Sequence, residues 1–140
     1  MKVDLLKFAL ENVWLIVVAL ASGGMLVWPF LRRGVGGASV DTLEATQLIN
    51  RQDAVVVDVR ETAEFGRNHI LNSRNIPLSQ FESRCGEIEK FKEKPVILAC
   101  ETGNRSGAAA AILRKRGFAK VFNLSGGTSA WQQAGLPVEK

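Results

Sequence analysis

The sequence contains few of the residues that define several common classes of small protein. Among 140 residues there are 2 cysteines and 1 histidine, too few for a disulfide scaffold or for a Cys/His zinc site. Charge of one sign is also scarce, since 18 Lys and Arg stand against 14 Asp and Glu. Residues 1–37 and 38–140 each carry a net charge of only +2, so no basic field predicts nucleic-acid binding. Hydrophobic residues reach 46%, which excludes general disorder.

One long segment carries no charge at all. Residues 12–31 form a charge-free apolar run of 20 residues, which as a helix is roughly 30 Å long and matches the hydrocarbon thickness of a bilayer. Trp14 and Trp28 lie near its two ends, where indole rings favour the membrane interface. We therefore predict one N-terminal transmembrane helix at 12–31, preceded by a flank at 1–11 and followed by a Gly-rich linker at 32–38.

Two other interpretations of this segment remain open. A buried core helix usually keeps a polar stripe, which the run lacks. A cleaved signal peptide has a basic start and a small-x-small cleavage site, for which Lys2 with Lys7 and residues 19–21 are candidates. Against it, Asp4 and Glu11 dilute the basic charge and the apolar run continues ten residues beyond residue 21. An uncleaved anchor is the favoured interpretation.

The orientation of the anchor follows from its flanking charges. Arg32 and Arg33 directly abut the apolar run, whereas the basic residues before it are spread out. The positive-inside tendency then places the C-terminal domain in the cytoplasm. We expect a single-pass protein of a bacterial inner membrane, with an exported C-terminal domain as the alternative.

Strand-like runs alternate with helical patterns from residue 39 onward. Apolar, β-branched segments predict buried strands at 54–57, 95–99 and 120–124. Helical patterns follow an N-cap candidate at Asp41 and recur at 81–91, at 108–116 and from 127 through Trp131. This alternation predicts an α/β fold, a parallel sheet with helices on both faces.

Cys100 lies where such a sheet places its ligands. It directly follows the strand predicted at 95–99, and a helix begins near Arg105; ligands bind beyond the carboxyl ends of parallel strands, often at helix N-termini. Gly103 lets the intervening loop curl, so that successive N–H groups face one point. These donors and the Arg105 guanidinium favour negative charge on the sulfur, which makes Cys100 a candidate nucleophile. The alternative is a buried, inert cysteine.

Motifs spread over residues 39–138 resemble those of the rhodanese (sulfurtransferase) family. They are VDVRE at 57–61, EF at 64–65, HI at 69–70, NIP at 75–77, CETGNRS at 100–106 and LSGG at 124–127 with Trp131. The resemblance implies a rhodanese domain at 39–140 carried on a membrane anchor. It also implies an enzyme that moves sulfane sulfur from thiosulfate or a persulfide donor to a thiophilic acceptor through a cysteine persulfide.

The same resemblance assigns roles to residues of this chain. Cys100 is the nucleophile and carries the persulfide, with no cofactor and no metal besides. The substrate-binding residues are those of the loop: Glu101, Thr102, Gly103, Asn104, Arg105 and Ser106. Within it, Arg105 is the side chain expected to steady an anion. Asp58 and Arg60 are possible supporting residues, although a mutual pair that holds neighbouring loops is favoured. For Cys85, His69 and Trp131 we expect packing roles.

The expected partners are a small-molecule or protein sulfur donor and acceptor, and the lipid bilayer through residues 12–31. An integral-membrane protein is a further candidate partner, and nucleic acid is not expected as one. Because Glu101 offsets Arg105 in the loop, we expect thiosulfate to be a poor donor and a persulfide the better one.

Two other functions remain as alternatives. One is a non-catalytic rhodanese-like interaction module for a membrane protein, which has no need of a nucleophile within a ring of donors. The other is a phosphatase or arsenate reductase. Phosphatases that share this fold place five residues between Cys and Arg, whereas four separate Cys100 from Arg105 here.

Overall fold

The computed structural model describes residues 4–36 and 38–140. The chain divides into two compact units, Met1–Gly34 and Val35–Lys140. Each unit is described separately below.

The first unit contains helix α1 (Leu5–Glu11) and most of helix α2 (Val13–Gly36). Asn12 separates them, and its side-chain Nδ2 donates to the carbonyl of Phe8 at 2.9 Å, which satisfies the end of α1. Within residues 4–36 and 38–140 no single helix has the length and hydropathy of a membrane span; Leu5–Glu11 and Val13–Pro29 have them as a pair, bent by 81°.

The second helix is longer than the apolar run. It continues to Gly36, so residues 32–36 of the predicted Gly-rich linker are helical, and its last residue, Ala38, belongs to the first strand. Arginine is a good helix former, and each glycine costs only about 1 kcal/mol in a helix, so nothing in this stretch blocks the helical hydrogen bonds. Residue 37 lies outside the described residues.

The second unit is built on a parallel sheet, as predicted. Five strands pair in parallel in the order β1-β6-β5-β2-β4; they are β1 (Ala38–Val40), β2 (Val55–Asp58), β4 (Arg74–Asn75), β5 (Val96–Ala99) and β6 (Val121–Leu124). The three predicted strands form its centre, and the sequence patterns missed the short strands β1 and β4 at its two sides. A separate antiparallel pair joins β3 (His69–Ile70) to β7 (Val138–Glu139).

Helices connect these strands. They are α3 (Thr42–Gln52), α4 (Thr62–Arg67), α5 (Phe81–Arg84), α6 (Ser106–Lys115) and α7 (Gly127–Gln133), with 3-10 turns at Leu78–Gln80 and Cys85–Phe91. Asp41 caps α3 as predicted, in a capping box with Glu44. The helix predicted at 81–91 is instead a short α-helix followed by 3-10 turns, where Gly86 weakens regular α-helix.

The sheet has a hydrophobic core on each face, because side chains alternate along every strand. Val57 and Leu98 pack with Phe81, Ile88 and Leu113 on one side. The neighbours of these strand residues, including Val56 and Ile97, pack with Ala45, Leu124 and Trp131 on the other. This arrangement confirms helices on both faces and explains why the strands read as continuous apolar runs. Trp131, which is 4% exposed, has the packing role expected of it.

All five parallel strands run in one direction, so the sheet has two different edges. The carboxyl edge is where β2, β5 and β6 end, at Asp58, Ala99 and Leu124. The amino edge is where the strands begin, and the chain enters the sheet there at Ala38.

Candidate active site

Cys100 lies at the carboxyl edge, and backbone N–H groups of its loop point at its sulfur. Its Sγ accepts hydrogen bonds from the N–H of Gly103 at 2.9 Å and the N–H of Arg105 at 3.3 Å. The Ser106 hydroxyl lies 3.8 Å from the same atom. The residue is 1% exposed, and these donors provide a polar environment for its sulfur. Converging N–H donors of this kind form a concave site that suits an anion.

The side chains of Asn123 and Ser106 hold the curled conformation of the loop. Gly103 has a φ of +94°, a conformation that glycine adopts without strain. Its carbonyl accepts from the Asn123 Nδ2 at 3.0 Å, and the Ser106 hydroxyl bonds to the Oδ1 of Asn123. Asn123 therefore connects β6 to both ends of the curl. The sequence motifs did not single it out.

The N-terminus of α7 binds the carbonyls of the loop. The N–H of Thr128 donates to the carbonyl of Cys100 at 2.8 Å, and the N–H of Ser129 donates to that of Glu101 at 3.1 Å. These bonds direct the two carbonyls to α7 rather than to the sulfur, which leaves the amides to face Sγ. Gly127 has a φ of +59°, and a Cβ placed on it would lie 2.1 Å from the Cys100 carbonyl oxygen.

The side chain of Arg105 is paired with carboxylates, and its role in steadying an anion stays a prediction. Its guanidinium forms two hydrogen bonds with the carboxylate of Glu64, at 2.9 and 2.8 Å, and lies 3.8 Å from the Glu101 carboxylate. The guanidinium is thus engaged by carboxylates, and the Arg105 group that bonds to Sγ is its backbone N–H. The partnership spans 41 residues of sequence, which is why sequence patterns did not reveal it.

The ion pair changes the titration of both partners. Hydrogen bonding to Arg105 holds the pKa of the Glu64 carboxyl below its ordinary value, and its attraction to Arg105 and Arg60 acts in the same direction. The hydrogen bond with Glu64 likewise raises the pKa of Arg105 above its ordinary value.

We expect Glu64→Gln to lower the free energy of unfolding at pH 7 by about 0.5–1 kcal/mol, since the pair is partly exposed. The pKa of Glu64 is lowered on folding, so its stabilisation is complete above about pH 5 and is lost as the pH falls below about 4.3, the ordinary glutamate value. Urea unfolding followed by circular dichroism at pH 7 and pH 3 measures the difference. Glu61→Gln is the control at a neighbouring exposed carboxylate, and an undiminished Glu64→Gln effect at pH 3 contradicts the assignment.

Asp58 and Arg60 form a buried pair, with the two residues 0% and 4% exposed. The Arg60 Nη2 donates to the Asp58 Oδ2 at 2.7 Å and to the carbonyl of Asn68 at 2.7 Å. The pair therefore ties the end of β2 to the segment after α4, which is the favoured structural role. A contact of either residue with substrate stays a prediction.

The other predicted loop residues face outward. Thr102 and Asn104 are exposed and bond to each other, Nδ2 to Oγ1, at 3.3 Å. Glu101 is also exposed, and it lines a polar cavity of about 330 Å³ together with Glu64, Arg67 and Ser129. This cavity lies beside the loop and offers room for part of a small polar ligand.

His69 and Cys85 have the packing roles expected of them. The His69 ring stacks on Phe65 with centroids 3.8 Å apart. Its Nδ1 lies 3.0 Å from the carbonyl of Phe65, and its Nε2 lies 3.2 Å from a carboxylate oxygen of Glu139. Cys85 is 1% exposed, and its thiol donates to the carbonyl of Glu82.

Fold and site together define an α/β domain in which a loop of inward-facing amides surrounds a cysteine at the carboxyl edge of a parallel sheet. The sequence model of the rhodanese-like domain family matches residues 41–134 of this chain. The chain therefore belongs to the rhodanese-like domain family.

Individual relatives agree with this membership. The uncharacterized protein YibN of Escherichia coli is 44% identical over 96 residues, which are 68% of this chain and 67% of that protein. A protein named sulfurtransferase from Allochromatium vinosum is 35% identical over 66% of this chain and 84% of its own. The crystal structure of a rhodanese-related protein from Thermoplasma volcanium matches 74% of this chain and 98% of its own with a TM-score of 0.65 at 32% identity.

Proposed function

We propose that this chain is a membrane-anchored sulfurtransferase in which Cys100 carries sulfur as a persulfide. The observation that carries the proposal is the pair of loop amides bonded to Sγ, 2.9 and 3.3 Å away. A persulfide is an anion on large polarisable atoms, and converging N–H donors suit such a group. The similarity to the sulfurtransferase of Allochromatium vinosum supports the reaction type.

Two displacements at sulfur complete the reaction. The Cys100 thiolate attacks the outer sulfur of a donor R–S–S⁻, the donor S–S bond breaks, and R–S⁻ leaves with the bonding electron pair; with thiosulfate the leaving group is sulfite. The product is Cys100–S–S⁻. An acceptor thiolate then attacks the outer sulfur, the Cys100 S–S bond breaks, and the thiolate of Cys100 is regenerated. No external oxidant or reductant is consumed.

Loading of the chain tests this reaction directly. The full chain in detergent is incubated with a low-molecular-weight persulfide or with thiosulfate, and its intact mass is measured before and after addition of cyanide. We expect a gain of one sulfur atom that cyanide removes as thiocyanate. An unchanged mass with both donors contradicts the proposal.

The charges of the site favour a persulfide donor over thiosulfate. Thiosulfate carries two negative charges, while the cation of the loop, Arg105, is already paired with Glu64 and lies 3.8 Å from Glu101. We expect Glu101→Gln to raise kcat/KM for thiosulfate by about threefold, because an exposed charge pair is worth about 1 kcal/mol or less.

Steady-state assays with both donors measure this effect, with Glu93→Gln, at an exposed carboxylate of the amino edge, as the control. The persulfide donor has less negative charge and responds less to the substitution. Faster turnover of the wild-type chain with thiosulfate than with the persulfide contradicts the donor preference.

The anchor is proposed from the composition and the exposure of α2. Residues 12–31 carry no charge, and side chains such as Leu20, Met25 and Leu26 are 71%, 82% and 74% exposed. A contiguous apolar surface of this kind requires a nonaqueous environment, which a bilayer provides. The flanking Arg32 and Arg33 favour a cytoplasmic catalytic domain at a bacterial inner membrane.

Alkaline extraction of membranes and the intact mass of the extracted chain test the anchor. We expect the chain to stay in the membrane fraction and to retain residues 1–21. Loss of those residues identifies a cleaved signal peptide and contradicts the anchor. Protease protection in sealed inverted vesicles separates the cytoplasmic orientation from the exported one.

A further inference from the structure

The fold sorts charges that are evenly mixed along the sequence. Nine basic residues occupy the amino edge, at strand starts, at the ends of α3 and α6 and in the segment before β5: Arg51, Arg74, Lys90, Lys92, Lys94, Arg114, Lys115, Arg116 and Lys120. Three acidic residues, Asp53, Glu89 and Glu93, lie among them. The amino edge therefore has a net charge of +6, although residues 38–140 as a whole carry only +2.

The carboxyl edge has the opposite sign. The acidic residues at the starts of α3 and α4 and around the cysteine loop are Asp41, Glu44, Asp58, Glu61, Glu64 and Glu101. Three arginines, Arg60, Arg67 and Arg105, lie with them, which leaves a net charge of −3. The domain is thus electrically polarised along its strands, with Cys100 at the negative end.

Three basic residues of the amino edge gather around the ring of Phe91. The cations of Arg74, Lys90 and Lys94 lie 4.9, 5.1 and 5.7 Å from the centre of the Phe91 ring. The carbonyl of Lys120 accepts from the N–H of Val96, which places the Lys120 backbone beside the start of β5. Asp53 neutralises part of the charge by pairing with Lys94.

The chain enters the domain at this same edge. Strand β1 begins at Ala38, level with Phe122 at the start of β6, and the apolar helix α2 ends at Gly36. We propose that the amino edge binds anionic lipid headgroups and so holds the carboxyl edge, with Cys100, towards the aqueous side. The inference rests on the proposed anchor, which keeps the edge within reach of the bilayer. Clustered cations near a membrane are attracted to anionic lipids, and salt weakens the attraction.

Fluorescence quenching from labelled lipid tests the proposal on the full chain. A dye is attached at Ala119→Cys on the amino edge or, as the control, at Leu43→Cys at the start of α3. The background is Cys85→Ala with Cys100→Ser, so that each chain has one thiol. The vesicles contain a headgroup quencher in phosphatidylcholine alone or with phosphatidylglycerol.

We expect phosphatidylglycerol to increase quenching at position 119 but not at position 43, and high salt to remove the increase. Substitution of Lys90, Lys94 and Lys120 by Gln lowers the equilibrium constant for the lipid contact by about fivefold per charge. The matched control replaces Arg67, Arg84 and Lys140, three basic residues outside the amino edge, by Gln and retains the increase.

If quenching at position 119 depends neither on phosphatidylglycerol nor on salt, the inference is overturned. The same result is expected if the amino edge binds an acidic protein or a nucleic acid instead of lipid. Failure of the anchor gives a different result. Without an anchor, the chain does not float with phosphatidylcholine vesicles at high salt. If it still floats at low salt when phosphatidylglycerol is present, the basic amino edge binds anionic lipid even though the anchor is absent.

Discussion

The Cys100→Ser chain is expected to gain no sulfur from any donor, and its transfer rate to fall by at least about 1,000-fold. A serine hydroxyl is un-ionised at neutral pH, and displacement at sulfur needs the anionic nucleophile. The substitution is close to isosteric, and the hydroxyl oxygen can accept from the same amides of Gly103 and Arg105 that bond to Sγ. We therefore expect the loop to keep its conformation, so that the loss of sulfur transfer reflects the loss of the nucleophile and not a change in structure.

Cys85→Ser is the matched control, because it removes the other thiol of the chain. The serine can still donate to the carbonyl of Glu82, as the Cys85 thiol does, so we expect loading with one sulfur atom to persist. Intact mass after incubation with the donor measures both variants. Loading of Cys100→Ser, or its loss in Cys85→Ser with the fold intact, contradicts the assignment of the nucleophile. Phosphate release from an aryl phosphate by the wild-type chain favours the phosphatase alternative.

Gly127→Ala is expected to lower sulfur transfer by at least about 100-fold and to destabilise the domain by about 2 kcal/mol or more. The new methyl group would lie 2.1 Å from the Cys100 carbonyl and 2.6 Å from the Glu101 carbonyl. It therefore displaces the carbonyls that the N-terminus of α7 binds, and the amides that face Sγ move with them.

Gly135→Ala separates backbone strain from this collision. Gly135 has a φ of +71°, yet a Cβ there has no neighbour within 4 Å, so its alanine variant carries the left-handed strain alone. We expect it to lose some stability and to keep its transfer rate. Thermal unfolding and transfer rate per folded chain are compared for the two variants. Equal losses of transfer in both would show that the contact between Gly127 and the loop does not govern the chemistry.

Regular local patterns predicted the centre of the fold. Strands β2, β5 and β6 are buried on both faces, and such strands are recognisable from continuous apolar runs. Strands β1 and β4 have three and two residues, too few for a periodic pattern to show. The sequence indicated Asp41 as a helix N-cap, because the two residues of the capping box, Asp41 and Glu44, lie within four residues of each other.

The position and the curled backbone of the cysteine loop could be predicted from the sequence, but the side-chain contacts of the loop could not. Its position after a buried strand and its glycine indicated inward-facing amides. The partner of Arg105, by contrast, lies 41 residues away, and the contact of Ser106 with Asn123 spans 17 residues. Such pairs are created by the crossing of elements in the folded chain, so the sequence around either member contains no signal for them. The sorting of charge between the two edges arises in the same way.

The position of β1 gives the N-terminal segment a mechanical connection to the cysteine loop. β1 pairs with β6 from Ala38 to Val40, and the Val40 carbonyl accepts from the N–H of Ser125 at 2.8 Å. Ser125 is two residues before Gly127, whose backbone closely approaches the Cys100 carbonyl. Tension applied through residue 38 would thus load β6 and, through Ser125, the turn that supports the cysteine loop.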